Sequence, residues 1–270
     1  MPLRFSAIGV LCMFQIKSDE EIELLRQSNL LVSATLAAVA GMMMPGMATN
    51  AIDKRAEEFI RDHGGVPGFK GYHGYPASLC ISVNDQVVHG IPSARVLMEG
   101  DLVSVDCGVL LNGFHGDSAY TFTVGEVSPE KAKLVRVTRE CLILGIKEAK
   151  SGKRVGDIGN AVQKHAEQNG FSVVREMVGH GVGRQLHEPP EVPNYGRPGT
   201  GPVLQNGLTI AIEPMINLGK RHIYQERDGW TIRTNDHKPS AHFEHSVAIR
   251  EDGADILSDF MIIDEAVSKF

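Results

Sequence analysis

Long apolar runs are missing from this 270-residue chain, and no stretch approaches the length that a bilayer-spanning helix requires. Positive charge is also in short supply. Lys and Arg number 27 against 33 Asp and Glu, a formal net charge of -6. That balance argues against a protein whose main task is gripping phosphate backbones, although local basic patches remain open. Cysteine is sparse: Cys12, Cys80, Cys107 and Cys141 form neither a CxxC pair nor a zinc-finger spacing. Buried thiols in a reducing compartment are expected, not a disulfide framework. A secretory leader is only loosely imitated, because Arg4 precedes a short apolar run over 7–14 that Gly9 interrupts, with no small-x-small cleavage site after it. Residues 1–16 read as an N-terminal extension, either an edge strand or a loose segment, and translation from Met13 stays open. A cytoplasmic location is expected.

What is present is the composition of a globular protein. Hydrophobic residues make up 42% and charged residues 22%, and the length allows one substantial core or at most two small ones. Ser18 with Glu21 makes a capping box, and Ile22, Leu25, Val32 and Leu36 follow in a helical stripe. Thr49 reads as the cap of a second helix that buries Ile52, Ala56 and Phe59 and stops at Gly64. Ser128-Pro129 opens another helix, running to about Ala149.

The chain also repeats a spacing. Gly46, Ile52 and Gly64 recur as Gly152, Ile158 and Gly170, an offset of 106. The segment Val96-Leu97-Met98-Glu99-Gly100, leading to Val105-Asp106, recurs as Val203-Leu204-Gln205-Asn206-Gly207, leading to Ile212-Glu213, at an offset of 107. An internal duplication explains both, with convergent turn-then-strand chemistry as the alternative. The expected organisation is one catalytic domain over 17–270, made of two pseudo-symmetric halves of about 17–125 and 126–263. The spacing predicts helices plus antiparallel strands, an α+β class, with a site at the junction of the halves.

Residues 102–109 read as a strand, Asn112-Gly113 as a two-residue hairpin turn, and the return strand passes Gly116, Asp117 and Tyr120. That turn sets residue 111 against 114, 108 against 117 and 106 against 119. Asp106 and Asp117 then become diagonal neighbours on one face, about 7–8 Å apart at the backbone. Two carboxylates facing a core are costly to desolvate unless something neutralises them. Glu213 follows the apolar strand 208–212, in the position where the duplication sets Asp106. Glu244 lies in His242-Phe243-Glu244-His245-Ser246-Val247, read as an alternating strand. His180 lies between Gly179 and Gly181, which permit close backbone approach. Four carboxylates and one imidazole suit two divalent ions among Mn, Fe(II), Co and Zn. Taken singly, the two glutamates could cap turns or form surface ion pairs, and His180 could be a satisfied core histidine. His89 and His187, in glycine- and proline-rich loops, suit hydrogen-bond donation or proton exchange near neutral pH.

From 17 to 263 the chain resembles the type I methionine aminopeptidases, which share the pita-bread fold with aminopeptidase P, prolidase and creatinase. The pieces that carry the resemblance are Gly71-Tyr72-His73-Gly74-Tyr75-Pro76, Val88-His89-Gly90-Ile91-Pro92, Asp106-Cys107-Gly108, the segment around Asp117, Gly179-His180-Gly181-Val182-Gly183, Glu213-Pro214-Met215 and Phe243-Glu244-His245. The resemblance implies a curved central antiparallel sheet with helices on its outer face. It implies Asp106, Asp117, His180, Glu213 and Glu244 as ligands of two divalent metals, with Asp117 and Glu244 bridging. It also implies His89 near the scissile nitrogen, His187 at the scissile carbonyl and Glu213 as proton shuttle. Tyr72, Tyr75, Cys80, Phe69 and Trp230 fall where the family builds its methionine pocket or rim.

The implied reaction is removal of the initiator methionine from chains with a small second residue, by attack of a metal-activated hydroxide on the first peptide bond. The implied partners are nascent polypeptide N-termini, with transient ribosome association, and the implied state is a monomer. Val178, Leu186 and Phe69 depart from residues common in type I enzymes and bear on pocket shape. Glu213 and Glu244 are only 31 residues apart in sequence, too close for the helical insertion of type II enzymes, and no cysteine-rich zinc-binding extension is present. A proline-directed aminopeptidase of the same fold, and a nascent-chain or ribosome-binding pseudoenzyme, are the competing expectations.

Overall fold

A computed structural model describes residues 14–269. The edge-strand reading of residues 1–13, and Cys12 with it, lie outside the described residues. Helix α1 (Asp19–Ala40) begins with the reciprocal Ser18/Glu21 capping box that the sequence predicts. Helix α2 (Thr49–Asp62) departs by one residue, because Ala48 is its N-cap and Thr49 its first helical residue. The Thr49 hydroxyl instead donates to the Ser93 carbonyl and accepts from the Ser93 amide, tying α2 to the loop before Val96. Next come β1 (Val66–Pro67), a short 3₁₀ turn over Tyr72–Gly74, β2 (Leu79–Val83), β3 (Gln86–Val88), β4 (Leu102–Leu111) and β5 (Phe114–Thr123).

A second run starts with α3 (Pro129–Glu148), capped by the Ser128 hydroxyl with proline in the first turn, and α4 (Val155–Gln168). Short strands follow: β6 (Ser172–Val173), β7 (Gly179–Gly181), β8 (Glu188–Val192), β9 (Thr209–Ile212), β10 (Met215–Asn217), β11 (Ile223–Gln225) and β12 (Ile232–Thr234). The chain closes with β13 (Ser240–His242), β14 (His245–Ile249), β15 (Ala254–Ile256) and α5 (Met261–Val267). Every named strand pair is antiparallel. Strand β4 carries β1 and β2 on one edge and β5 on the other. Three further pieces run β15-β14-β9-β7-β8, β13-β10-β6 and β11-β12-β3. One buried cluster joins Leu36, Ile52 and Val105 to Ile158, Ile212 and Val247, so helices and strands from both runs share a core.

The repeated spacing has a repeated local geometry. Ala48 bridges Val96 and Arg154 bridges Val203. The Gly46 amide donates to the Leu97 carbonyl at 2.9 Å, and the Gly152 amide to the Leu204 carbonyl at 3.0 Å. In return the Leu97 and Leu204 amides donate at 2.8 Å to the carbonyls of Met47 and Lys153. Segment 242–247 differs from its predicted alternation. It is buried on both faces and broken into β13 and β14, with Phe243 and Glu244 in the gap. Among the described residues no helix is long and apolar enough to cross a membrane.

Candidate metal centre

The β4–β5 hairpin is closed by Asn112 and Gly113, both with left-handed backbone (φ 53° and 81°), the geometry a two-residue hairpin turn requires. Leu111 pairs with Phe114, Gly108 with Asp117 and Asp106 with Ala119, the predicted register. Asp106 and Asp117 therefore share a face. Asp117 is further pinned by its neighbours. Its amide donates to Asn29 Oδ1 at 3.1 Å and its carbonyl accepts from Ser246 Oγ at 2.8 Å. The Glu244 amide donates to the Ala119 carbonyl at 2.9 Å and Ser118 Oγ to the Glu244 carbonyl at 2.6 Å. These bonds stitch the β13–β14 gap onto β5 and bring Glu244 beside Asp117.

Glu213 sits between β9 and β10, where the chain leaves one sheet piece for another, and its carbonyl accepts from Asn194 Nδ2 at 2.9 Å. His180 occupies the middle of β7. A Cβ at Gly179 would come within 2.4 Å of the Ala211 carbonyl oxygen, and one at Gly181 within 2.5 Å of that of Pro189. Only glycine lets β7 pack this closely between its neighbours. His180 Nδ1 lies 2.9 Å from the Gly181 carbonyl, so it carries the ring proton and Nε2 presents its lone pair. That Nε2 is 3.6 Å from Glu213 Oε1 and 3.8 Å from Asp117 Oδ2. Ligand atoms of Asp117, His180 and Glu244 all lie within 4.8 Å of one another.

Electrostatics identify what this cluster lacks. Asp117 and Glu244 are 3% and 2% exposed, too little for water to solvate their charge. Burial is the main force raising all four carboxyl pKa values, and the neighbouring acids add to it for Asp117 and Glu244. Asp106 is pushed up to about 7 and Glu213 to about 8. Burial pulls His180 down to about 3, which keeps it neutral. Asp106 Oδ1, Asp117 Oδ1 and Glu244 Oε1 are buried with no hydrogen-bond partner. Converging orphan carboxylate oxygens beside an imidazole lone pair fit hard-to-borderline divalent cations, which would satisfy them and restore their ionised form.

The cluster floors a cavity of about 490 Å³. Every residue that the sequence singled out lines it: Asp106, Asp117, His180, Glu213 and Glu244 with His89, His187, Phe69, Tyr72, Tyr75, Cys80 and Trp230. One wall is an apolar cluster of Phe69, Tyr75, Ala77, Cys80 and Leu186, against which Tyr72, Ile91 and Trp230 pack. Phe69 packs close against β4 because residue 108 has no side chain; a Cβ there would come 2.5 Å from its ring. The Tyr75 hydroxyl lies 3.0 Å from the carbonyls of both Leu79 and Gly90, tying the start of β2 to the residues that follow β3. Tyr72 Oη lies 2.7 Å from His187 Nδ1, and the His187 ring meets that of His180 edge-on at 4.2 Å. Burial lowers the pKa of His187, and that of His89 to about 4, so both rings are neutral at pH 7.

His242 escaped the sequence reading. It is 1% exposed, its Nε2 has no hydrogen-bond partner, and that atom lies 3.6 Å from Glu213 Oε2. Its place two residues before Glu244 is the available signal, since an alternating strand sets residues i and i+2 on one face. Cys80, Cys107 and Cys141 are free and buried, as expected of thiols kept from oxidation.

Helices over antiparallel sheet, with buried carboxylates and a neutral imidazole converging on one cavity, define a metal-binding enzyme of the pita-bread class. The chain belongs to metallopeptidase family M24, whose sequence profile matches residues 23–251. It is 51% identical to a methionine aminopeptidase of Clostridium perfringens, over 91% of this chain and 99% of that protein. It is 48% identical to methionine aminopeptidase 1 of Bacillus subtilis, over 90% and 98% respectively. Among solved structures, the methionine aminopeptidase of Thermotoga maritima superposes with a TM-score of 0.90 at 45% identity, covering 92% of this chain and all of that one. The prolidase of Pyrococcus furiosus shares the fold, with a TM-score of 0.75 at 23% identity over 90% of this chain and 65% of its own.

Proposed function

We propose that this chain is a methionine aminopeptidase that removes the initiator methionine from polypeptides with a small second residue. The observation that carries the proposal is the juxtaposition of the buried carboxylate–imidazole cluster with a closed apolar wall in one cavity. An unbranched, polarizable side chain suits a slot built from Phe69, Tyr75, Cys80, Leu186 and Trp230. Identities of about half over nearly the whole length of the Clostridium and Bacillus enzymes support the same substrate.

Asp106, Asp117, His180, Glu213 and Glu244 would hold two divalent ions. Such ions supply Lewis acidity and lower the pKa of water. The chain's own groups do the rest. Glu213, whose burial raises its proton affinity, accepts the proton released as water adds to the methionine carbonyl and returns it towards the leaving nitrogen. The Tyr72 phenol, kept protonated by a pKa that burial raises, donates to His187 Nδ1. That leaves the Nε2 proton of His187 free to stabilise the developing oxyanion. Neutral His89 faces the scissile nitrogen. A free substrate amine lodged against the acidic floor restricts cleavage to the first residue.

The same proposal takes residues 17–270 as one catalytic domain of two pseudo-symmetric halves, acting as a cytoplasmic monomer on nascent chains at the ribosome. The test is cleavage of Met-Ala-Ser beside Ala-Pro and other X-Pro peptides by the metal-loaded protein. Release of methionine alone is expected. Cleavage confined to X-Pro bonds would replace the assignment with a proline-directed peptidase, and no cleavage of either, with metal bound, would favour a binding protein.

A further inference from the structure

We infer that a buried Lys17–Glu188 ion pair is the positioning element for His187. This rests on His187 acting as the carbonyl donor. Lys17 Nζ meets Glu188 Oε2 at 2.5 Å, with the two side chains 3% and 1% exposed. A pair so deep is expensive to desolvate and contributes little net stability, so its value lies in fixing one geometry.

Both partners are held rigidly. On one side, Ile16 bridges Leu208, the Lys17 amide donates to the Gly207 carbonyl at 2.9 Å, and Nζ also donates to the Gln15 carbonyl at 2.9 Å. On the other, Glu188 pairs with Gly181 across β7–β8, and its Oε1 accepts from the Gln185 amide at 3.2 Å. Its carboxylate thus ties both ends of the segment Gln185-Leu186-His187-Glu188. Gln185 is exposed, and Arg184 lies over the Phe114 ring at 4.4 Å and pairs with Glu21 at 3.1 Å. Leu186 packs into the apolar wall, so the ion pair acts beside these contacts. The pair lies directly against the Gly183 backbone, where a Cβ would come 2.5 Å from Glu188 Oε1 and 2.7 Å from Lys17 Cε. His187 and Glu188 both line the cavity, but the Glu188 carboxylate is taken up by Lys17 and by the Gln185 amide. Glu188 thus sets the backbone from which His187 reaches the chemistry. Misplacing a reacting group by about 1 Å can cost about 10²-fold in rate.

Lys17→Met, Glu188→Gln and Lys17→Arg, each in the wild-type and the His187→Ala background, test the inference with Met-Ala-Ser kinetics and bound-metal content. Lys17→Met and Glu188→Gln should lower kcat by about 10–100-fold with KM and metal content nearly unchanged. Lys17→Arg should restore most of the loss. In the His187→Ala background Lys17→Met should cost nothing further, because the group it positions is gone. Where Lys17→Met fails to fold, the nearly isosteric Glu188→Gln decides. Wild-type kcat in the folded variants, or losses that multiply with that of His187→Ala, would overturn the inference. Wild-type kcat in His187→Ala itself would instead remove the reading beneath it.

Discussion

The cluster draws its acids from two kinds of structure. Asp106 and Asp117 sit in an unbroken ladder between ten-residue strands. Glu213 and Glu244 sit in gaps, between β9 and β10 and between β13 and β14, where the chain passes between sheet pieces. A ladder fixes its side chains by register, shared among many backbone bonds. A corner depends on the few groups that prop it, here Asn194 for Glu213 and Ser118 with Ala119 for Glu244. The two sources should be equal in chemistry and unequal in robustness.

The largest effect tests the equality. Asp117→Ala from the ladder and Glu244→Ala from the gap should both reduce Met-Ala-Ser cleavage to background and lower bound metal. Unaltered activity in either would break the shared-ion account. Next comes robustness. Asn194→Ala leaves every acid in place but removes the prop of Glu213, and loss of such outer support typically weakens metal binding by about 10–100-fold. A metal titration that matches wild type would mean the corner holds itself.

A third effect concerns protons. Asp106 and Glu213 have folded pKa values of about 7 and 8, above their unfolded values. The metal-free fold thus holds protons that the unfolded chain has released. The contribution of these two acids to its stability is full below the ordinary carboxylate range and is lost as pH rises through about 8. Thermal melts of chelated protein should fall across that window. Saturating divalent metal should reverse the trend, since metal binds the deprotonated acids. Melts that rise with pH in chelator would contradict the buried-acid picture. The smallest effect returns to the ladder. Gly113→Ala forces a side chain into left-handed backbone at a cost of about 1–2 kcal/mol. It should lower the melting temperature while leaving kcat near wild type, because the register is held along the whole hairpin.

This contrast also explains what could be read beforehand. Asn112-Gly113 is a local turn signal, and from it the pairing of Asp106 and Asp117 followed residue by residue. The caps at Ser18 and Ser128 are local in the same way. Thr49 misled by one position because its hydroxyl answers a distant partner, Ser93. No local chemistry marks a corner between sheets. Glu213 is legible in the repeated spacing and Glu244 in the polar positions of segment 242–247, while nothing in that segment alone singles out His242 as a member of the site. The Lys17–Glu188 pair, 171 residues apart, leaves no trace in either neighbourhood.

Anomalous scattering at the edge of the bound metal, from crystals of the metal-loaded protein, tests the central claim most directly. Two peaks are predicted between Asp106, Asp117, His180, Glu213 and Glu244, with Asp117 and Glu244 reaching both. A single peak, or peaks away from these side chains, would contradict the dinuclear centre.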